Sequence, residues 1–187
     1  MADLCKVLRR LRAVRGIKQS HLAELVGVTQ ATVSRWERGE ARPAPAERAR
    51  LEALLCAPID PAADRALKRL VEASPDPVHL ICDVTHRLLA ASASRQREWS
   101  APASAFLGRP LFRYASDEIR AEEARLADRG WYDEPAPRLV FRTGANASDE
   151  IRILPSVMMW ERLALSDGSI ARLVTSLSFE AEQAGRP

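Results

Sequence analysis

The sequence predicts a small all-α domain followed by an α+β domain, the second an antiparallel sheet with helices on one face. Two observations carry this. Up to residue 77 the apolar residues recur at spacings of three and four, punctuated by glycine and proline. Beyond Pro77 the order is two short apolar runs, several short helical pieces, and three runs rich in Val, Ile, Leu and Phe. A chain of 187 residues, 47% hydrophobic, is long enough for two small domains with a core each. The stretch "SPDP" (Ser74–Pro77) cannot continue a helix and marks the change of texture. The expected division is therefore an α-helical domain over 1–58, a linker helix over 59–77, an α+β domain over 78–180 and a tail over 181–187.

Each element has a local reason. Leu4, Val7, Leu8, Leu11 and Val14 form one apolar stripe that ends near Gly16. Leu22, Ala23, Leu25 and Val26 mark a second helix closed by Gly27, because glycine takes the left-handed conformation without penalty. Thr29 is a good N-cap for a third helix through Arg38, and Gly39 stops it. A fourth helix follows the prolines of "ARPAPAERARLEALL", and a fifth runs through "DPAADRALKRLVEAS", with Asp60 as cap and Pro61 at its first position. "VHLICDVTHRLLAAS" reads as two short strands about a turn. Helical pieces around Phe106–Tyr114 and Asp117–Arg129 come next. Strands follow in "RLVFRTG", "EIRILPSVMMWERLAL" and "SIARLVTSLSF", with "SDGS" (Ser166–Ser169) as the last hairpin turn.

The stretch from Gln19 to Pro43, "QSHLAELVGVTQATVSRWERGEARP", carries the function. Two short helices joined through a glycine turn make a helix-turn-helix, whose second helix can enter a DNA major groove. With Ala23, Val28, Val33 and Trp36 turned inwards, the third helix presents Gln30, Ala31, Ser34 and Arg35. Gln pairs bidentately with adenine, Arg with guanine, and Ala touches a thymine methyl. Residues 4–55 resemble the xenobiotic-response-element class of helix-turn-helix, the family of lambda-like repressors and Cro. That resemblance implies base contacts from Gln30, Ala31, Ser34 and Arg35. It implies phosphate contacts from Gln19, Thr29, Thr32, Arg38 and Arg42, and a structural ion pair between Arg12 and Glu37. One departure is Lys18, where the family usually has a Ser or Thr cap. The lost cap costs about 1 kcal/mol, and Lys18 would add phosphate attraction instead.

Residues 78–180 are similar in pattern to PAS-type sensor domains, on the opening hairpin "HLICDVTHRLLAAS", the segment "FLGRPLFRY" and the closing hairpin around Asp167-Gly168. This implies dimerisation, small-molecule sensing, or both. Trp99, Trp131, Met158, Met159 and Trp160 are candidates for an apolar pocket, against the plainer reading that they are core or interface. His79 and His86 share the first hairpin, and alternation leaves open whether they converge on a haem or metal. Cys82 is not in the cysteine motif of flavin-adduct photosensors, and no cofactor is named by the sequence.

Charge and composition agree with this reading. Residues 1–60 hold 11 Lys/Arg against 7 Asp/Glu, and the remainder holds 17 against 18, so the positive charge sits in the helical part. Three cysteines, Cys5, Cys56 and Cys82, are far apart and form no CxxC pair, as in a reducing cytoplasm. No secretory signal and no membrane span is expected. Three scattered histidines, no nucleophile–base grouping and no phosphate loop argue against an enzyme. The expectation is a cytoplasmic, dimeric transcription regulator that binds a pseudo-palindromic double-stranded operator, with a possible effector at its C-terminal domain. The alternative is an antitoxin-like module that uses its helix-turn-helix to bind a protein.

Overall fold

The computed structural model describes residues 4–55, 62–166 and 168–177, with the side chains of residues 4–6, 14 and 55 left out. Asp60, Pro61, Cys56, Asp167 and the tail over 181–187 lie outside the described residues. The chain divides into two compact units, 1–58 and 59–187.

The first unit contains α1 (Leu4–Arg15), α2 (Gln19–Val26), α3 (Gln30–Arg38) and α4 (Pro45–Leu55). Leu8, Leu11, Leu22, Ala23, Val26, Val33, Trp36 and Leu51 form its core, all at most 3% exposed. A buried aliphatic side chain contributes about 1.5–3 kcal/mol, so this cluster holds the unit together despite its short helices. Gly27 (φ +74°) and Gly39 (φ +78°) end α2 and α3 in the left-handed conformation, each with its N–H bonded back into the last turn. Thr29 caps α3: its Oγ1 accepts from Thr32 N at 3.2 Å. Lys18, before α2, makes no side-chain cap. At the start of α4 the Ala44 N–H is taken up by Glu47 Oε2 at 2.7 Å.

The second unit begins with α5 (Ala62–Ala73) and contains β1 (Val78–Cys82), β2 (Leu88–Ala91), α6 (Ala93–Gln96), α7 (Asp117–Ala124), β3 (Leu139–Thr143), β4 (Ser156–Ala164) and β5 (Ile170–Leu177). The five strands form one antiparallel sheet in the order β2-β1-β5-β4-β3. Between β2 and β3 lie the short helices and two 3-10 turns, Ala103–Ala105 and Leu111–Tyr114. They pack on the sheet face that carries Ile81, Met158, Trp160 and Val174. β1 is buried at every position, and α5 packs against β1 and β2. Asp64 fixes α5 to the β4–β5 hairpin by accepting from Ser166 N (3.1 and 3.2 Å) and Ser166 Oγ (2.9 Å). That hairpin closes with Gly168 N and Leu165 N bonded to Leu165 O and Ser169 O.

Three details depart from the sequence reading. The helix expected over Asp117–Arg129 stops at Ala124, because Arg125 leaves helical geometry (φ −98°, ψ 3°) and the chain turns so that Leu126 and Trp131 reach the core. Helix α6, capped by Ser92 Oγ on Arg95 N (3.1 Å), is too short for any apolar period to reveal. The piece around Phe106–Tyr114 is the second 3-10 turn, preceded by Pro110.

Candidate functional site

Helix α3 is amphipathic in a specific sense. Val33, Trp36 and Glu37 are buried, while Gln30, Ala31, Arg35 and Arg38 are exposed and Thr32 and Ser34 are half-buried. Lys18, Thr29 and Arg42 are also exposed, and Val28 is half-buried. Trp36 is 2% exposed and belongs to the core.

Behind that face lies a polar brace. Arg12 donates Nε to Glu37 Oε1 at 2.6 Å and Nη2 to Oε2 at 2.9 Å, a bidentate pair that joins α1 to α3. Burial pushes the Glu37 carboxyl up, but the hydrogen bonds from Arg12 and Gln19 outweigh it and hold it below its ordinary value. Gln19 donates Nε2 to Glu37 Oε2 (2.8 Å) and accepts Gln30 Nε2 on its own Oε1 (2.7 Å). The carboxamide of Gln30 is thus tethered, through Gln19, to the buried pair. The sequence gives no sign of this link, since 11 residues separate Gln19 and Gln30. Arg38 is held by Glu40 (2.5 and 2.8 Å) and donates to Ser34 Oγ at 2.5 Å. These contacts are exposed and screened by solvent, so they hold Arg38 only weakly.

The second unit holds a cavity between the inner sheet face and the segments around α6, the second 3-10 turn and α7. Its volume is about 60 Å³. Ile81, Leu111, Phe112, Ile119, Ile151, Ile153, Met158 and Val174 give it an apolar wall, and Trp99 and Trp160 add aromatic faces. Of the five expected lining residues, Trp99, Met158 and Trp160 reach it. Trp131 packs edge-on against Trp160 in the core, and Met159 alternates to the opposite face. His79 and His86 both border the cavity.

Two polar groups interrupt the apolar wall. In the first, His86 Nε2 lies 3.1 Å from Glu123 Oε1, and Arg172 Nη1 donates to Glu123 Oε2 at 2.7 Å. Arg172 Nε donates to Asp83 Oδ1 at 2.8 Å, and Nη2 sits 2.6 Å from the same oxygen outside hydrogen-bonding alignment. Trp131 Nε1 donates to Asp83 Oδ2 at 3.2 Å. Arg172, 1% exposed, is flanked by Trp160 and Trp131, 4.2 and 4.9 Å from their ring centroids. His86 stacks on Phe112 and takes φ +56°, a conformation a side chain rarely adopts.

The second polar group is His79, Arg95 and Trp99, all at least nine-tenths buried. Arg95 Nη1 donates to Ser176 Oγ (2.9 Å) and Glu98 Oε2 (3.1 Å). Burial, aided by the Arg95 charge, pushes His79 well below its ordinary value and keeps it neutral. Of these two groups the sequence singled out the histidines, Trp99 and Trp131, but none of the charged side chains. The one available signal is Arg172, placed between Ile170 and Val174 on the inward face of a strand.

Comparison with known proteins gives three findings. Residues 8–55 match the helix-turn-helix family model. Comparison with curated proteins gives no match. Similar solved structures include the PAS domain of an HTR-like protein from Haloarcula marismortui, with 19% identity, 72% of this chain and 98% of that one covered, and a TM-score of 0.45. The PAS domain of nitrogen regulation protein NR(II) from Vibrio parahaemolyticus gives 9%, 60%, 97% and 0.42. An RNA-binding light-oxygen-voltage receptor gives 11%, 95%, 59% and 0.46, so the chain spans about three fifths of that protein.

Proposed function

We propose that this chain is a sequence-specific DNA-binding transcription regulator that works as a dimer and takes a small-molecule signal at its second unit. The observation that carries the reading is α3. Its apolar side is buried on α1 and α2, while Gln30, Ala31 and Arg35 stand exposed at its outer face. In this reading Gln30, Ala31, Ser34 and Arg35 meet base edges, and Lys18, Gln19, Thr29, Thr32, Arg38 and Arg42 meet phosphates. The Gln19–Gln30 hydrogen bond supports it, because a tethered carboxamide loses less entropy on pairing with adenine. Gln19 keeps these side-chain bonds and uses its backbone N–H to hold a phosphate at the start of α2.

Dimerisation is supported by α5, which buries Val71 yet leaves Leu70 71% exposed. A dyad-related pair of recognition helices requires half-sites about one helical turn, or a multiple of it, apart. Sensing is supported by the cavity. No helix among the described residues is long and apolar enough to cross a membrane, which is compatible with a regulator acting in the cytoplasm.

The test is a duplex-DNA titration of the full chain over a range of salt. With six to ten phosphate contacts per dimer, affinity should fall about 10³–10⁵-fold between 50 and 200 mM salt. A flat salt response, or none but protein partners bound, would turn the reading towards a protein-interaction module.

A further inference from the structure

Four side chains on the cavity wall each carry a buried polar atom with no hydrogen-bond partner among the described residues: His79 Nδ1, Arg95 Nε, Trp99 Nε1 and Arg172 Nη2, the last of which still lies 2.6 Å from the Asp83 carboxylate. The first three belong together. The His79 and Trp99 rings meet edge-on, 6.3 Å between centroids, and the Arg95 charge acts on His79. Buried polar groups are nearly always paired, and three at one cavity wall is a concentration that the fold alone does not require.

Their chemistry specifies what would complete them. An indole N–H and a guanidinium N–H can only donate, so the missing partner must accept. Arg95 is 3% exposed and has one carboxylate neighbour, Glu98, which is itself a quarter exposed. Ser176 is neutral. A buried cation so sparsely countered favours an anion over a neutral acceptor. Neutral His79 adds either a third donor or an acceptor for a protonated oxygen. The rest of the wall is apolar, with Ile81, Phe112, Ile119, Ile153, Met158 and Val174. The other polar group takes no part, because Arg172 already spends its charge on Asp83 and Glu123.

Size narrows the class. A cavity of about 60 Å³ with a mostly apolar wall suits a compact apolar body, such as one aromatic ring or a short branched chain.

We infer that the cavity binds a small monocarboxylic acid with an aromatic or branched aliphatic body, its carboxylate on Arg95 and Trp99 beside His79. This rests on the reading of the second unit as a sensor and names its ligand class.

The test is isothermal titration of the full-length protein with benzoate and, as the uncharged isostere, toluene. Benzoate should bind about tenfold or more tightly than toluene. Trp99→Phe keeps the ring and removes the N–H, so it should weaken benzoate about five- to tenfold and leave toluene unchanged. Arg95→Met should erase the preference for benzoate; if that variant does not fold, the wild-type comparison and Trp99→Phe still decide. Equal affinity for the two probes, or no binding of either, overturns the inference. DNA affinity measured with and without saturating benzoate separates it from the broader reading. Benzoate bound without effect on DNA keeps the ligand class and removes the sensor role. Toluene bound as well as benzoate, with an effect on DNA, does the reverse.

Discussion

Burial alone would raise the Glu37 carboxyl; the hydrogen bonds from Arg12 and Gln19 reverse that and leave it below its ordinary value of 4.5. A carboxyl depressed on folding contributes stability that is complete above its unfolded value and is lost as pH falls through the folded one. Glu37→Gln should therefore be less stable than wild type near neutrality, with the gap closing below about pH 4.5 in urea denaturation. Arg12→Ala strands Glu37 and should cost about 2–3 kcal/mol, short of a fully buried pair because the Arg12 side chain keeps 24% exposure. At His79 the sign is opposite in kind but not in direction. Its folded value is depressed, so the unfolded chain takes a proton that the folded one refuses, and stability falls as pH drops below about 6.5. His79→Asn should flatten the loss between about pH 7 and 5 in the same denaturation series. The sequence named Arg12, Glu37 and His79 through family pattern and position. It could not name Asp83 or Glu123, because their partners lie far along the chain, 89 residues in the case of Asp83 and Arg172, and nothing in the local pattern shows that Arg95 is buried.

Glycine and threonine set the ends of α2 and α3, and these were legible because each acts locally, the glycines through their own backbone and Thr29 through its hydroxyl on Thr32 N. Gly27 shows how local rules and packing combine. Its φ of +74° already disfavours a side chain, and an added Cβ would sit 2.8 Å from Arg50 Nη1. That guanidinium donates to Val26 O at 2.6 Å and satisfies the end of α2. Gly27→Ala should cost about 1–2 kcal/mol by thermal or urea denaturation, with a wild-type-like cost for a glycine in an exposed loop excluding the account. Asp64 is the comparable point in α5. Its three contacts to Ser166 span 102 residues, and Asp64→Ala should speed amide exchange in α5 and the β4–β5 hairpin while sparing α1 to α4. The strands were readable as apolar runs. Helix α6 and the end of α7 were not, since four residues show no period and Arg125 is a good helix former overruled by the burial of Leu126 and Trp131.

At the scale of the whole molecule, two units carry two kinds of chemistry. The first uses its half-buried Arg12–Glu37 pair to tie α3 to α1. The second keeps charged and polar groups inside an apolar wall, an arrangement that costs stability unless something is gained from it. The order of elements predicted both architectures, because helices before Pro77 and a mixed pattern after it follow from local texture. The cavity was beyond such reasoning, because its wall draws on eight separate segments from β1 to β5. The account as a whole stands on α3 reading DNA through Arg35. The most direct test is selection of bound duplexes from a randomised pool by the full chain and by Arg35→Ala. The wild type should enrich a pseudo-palindromic site, and the variant should lose about 1–3 kcal/mol of preference at one base pair in each half-site while the other positions persist. An identical profile for the two proteins, or no enrichment by the wild type, would contradict it.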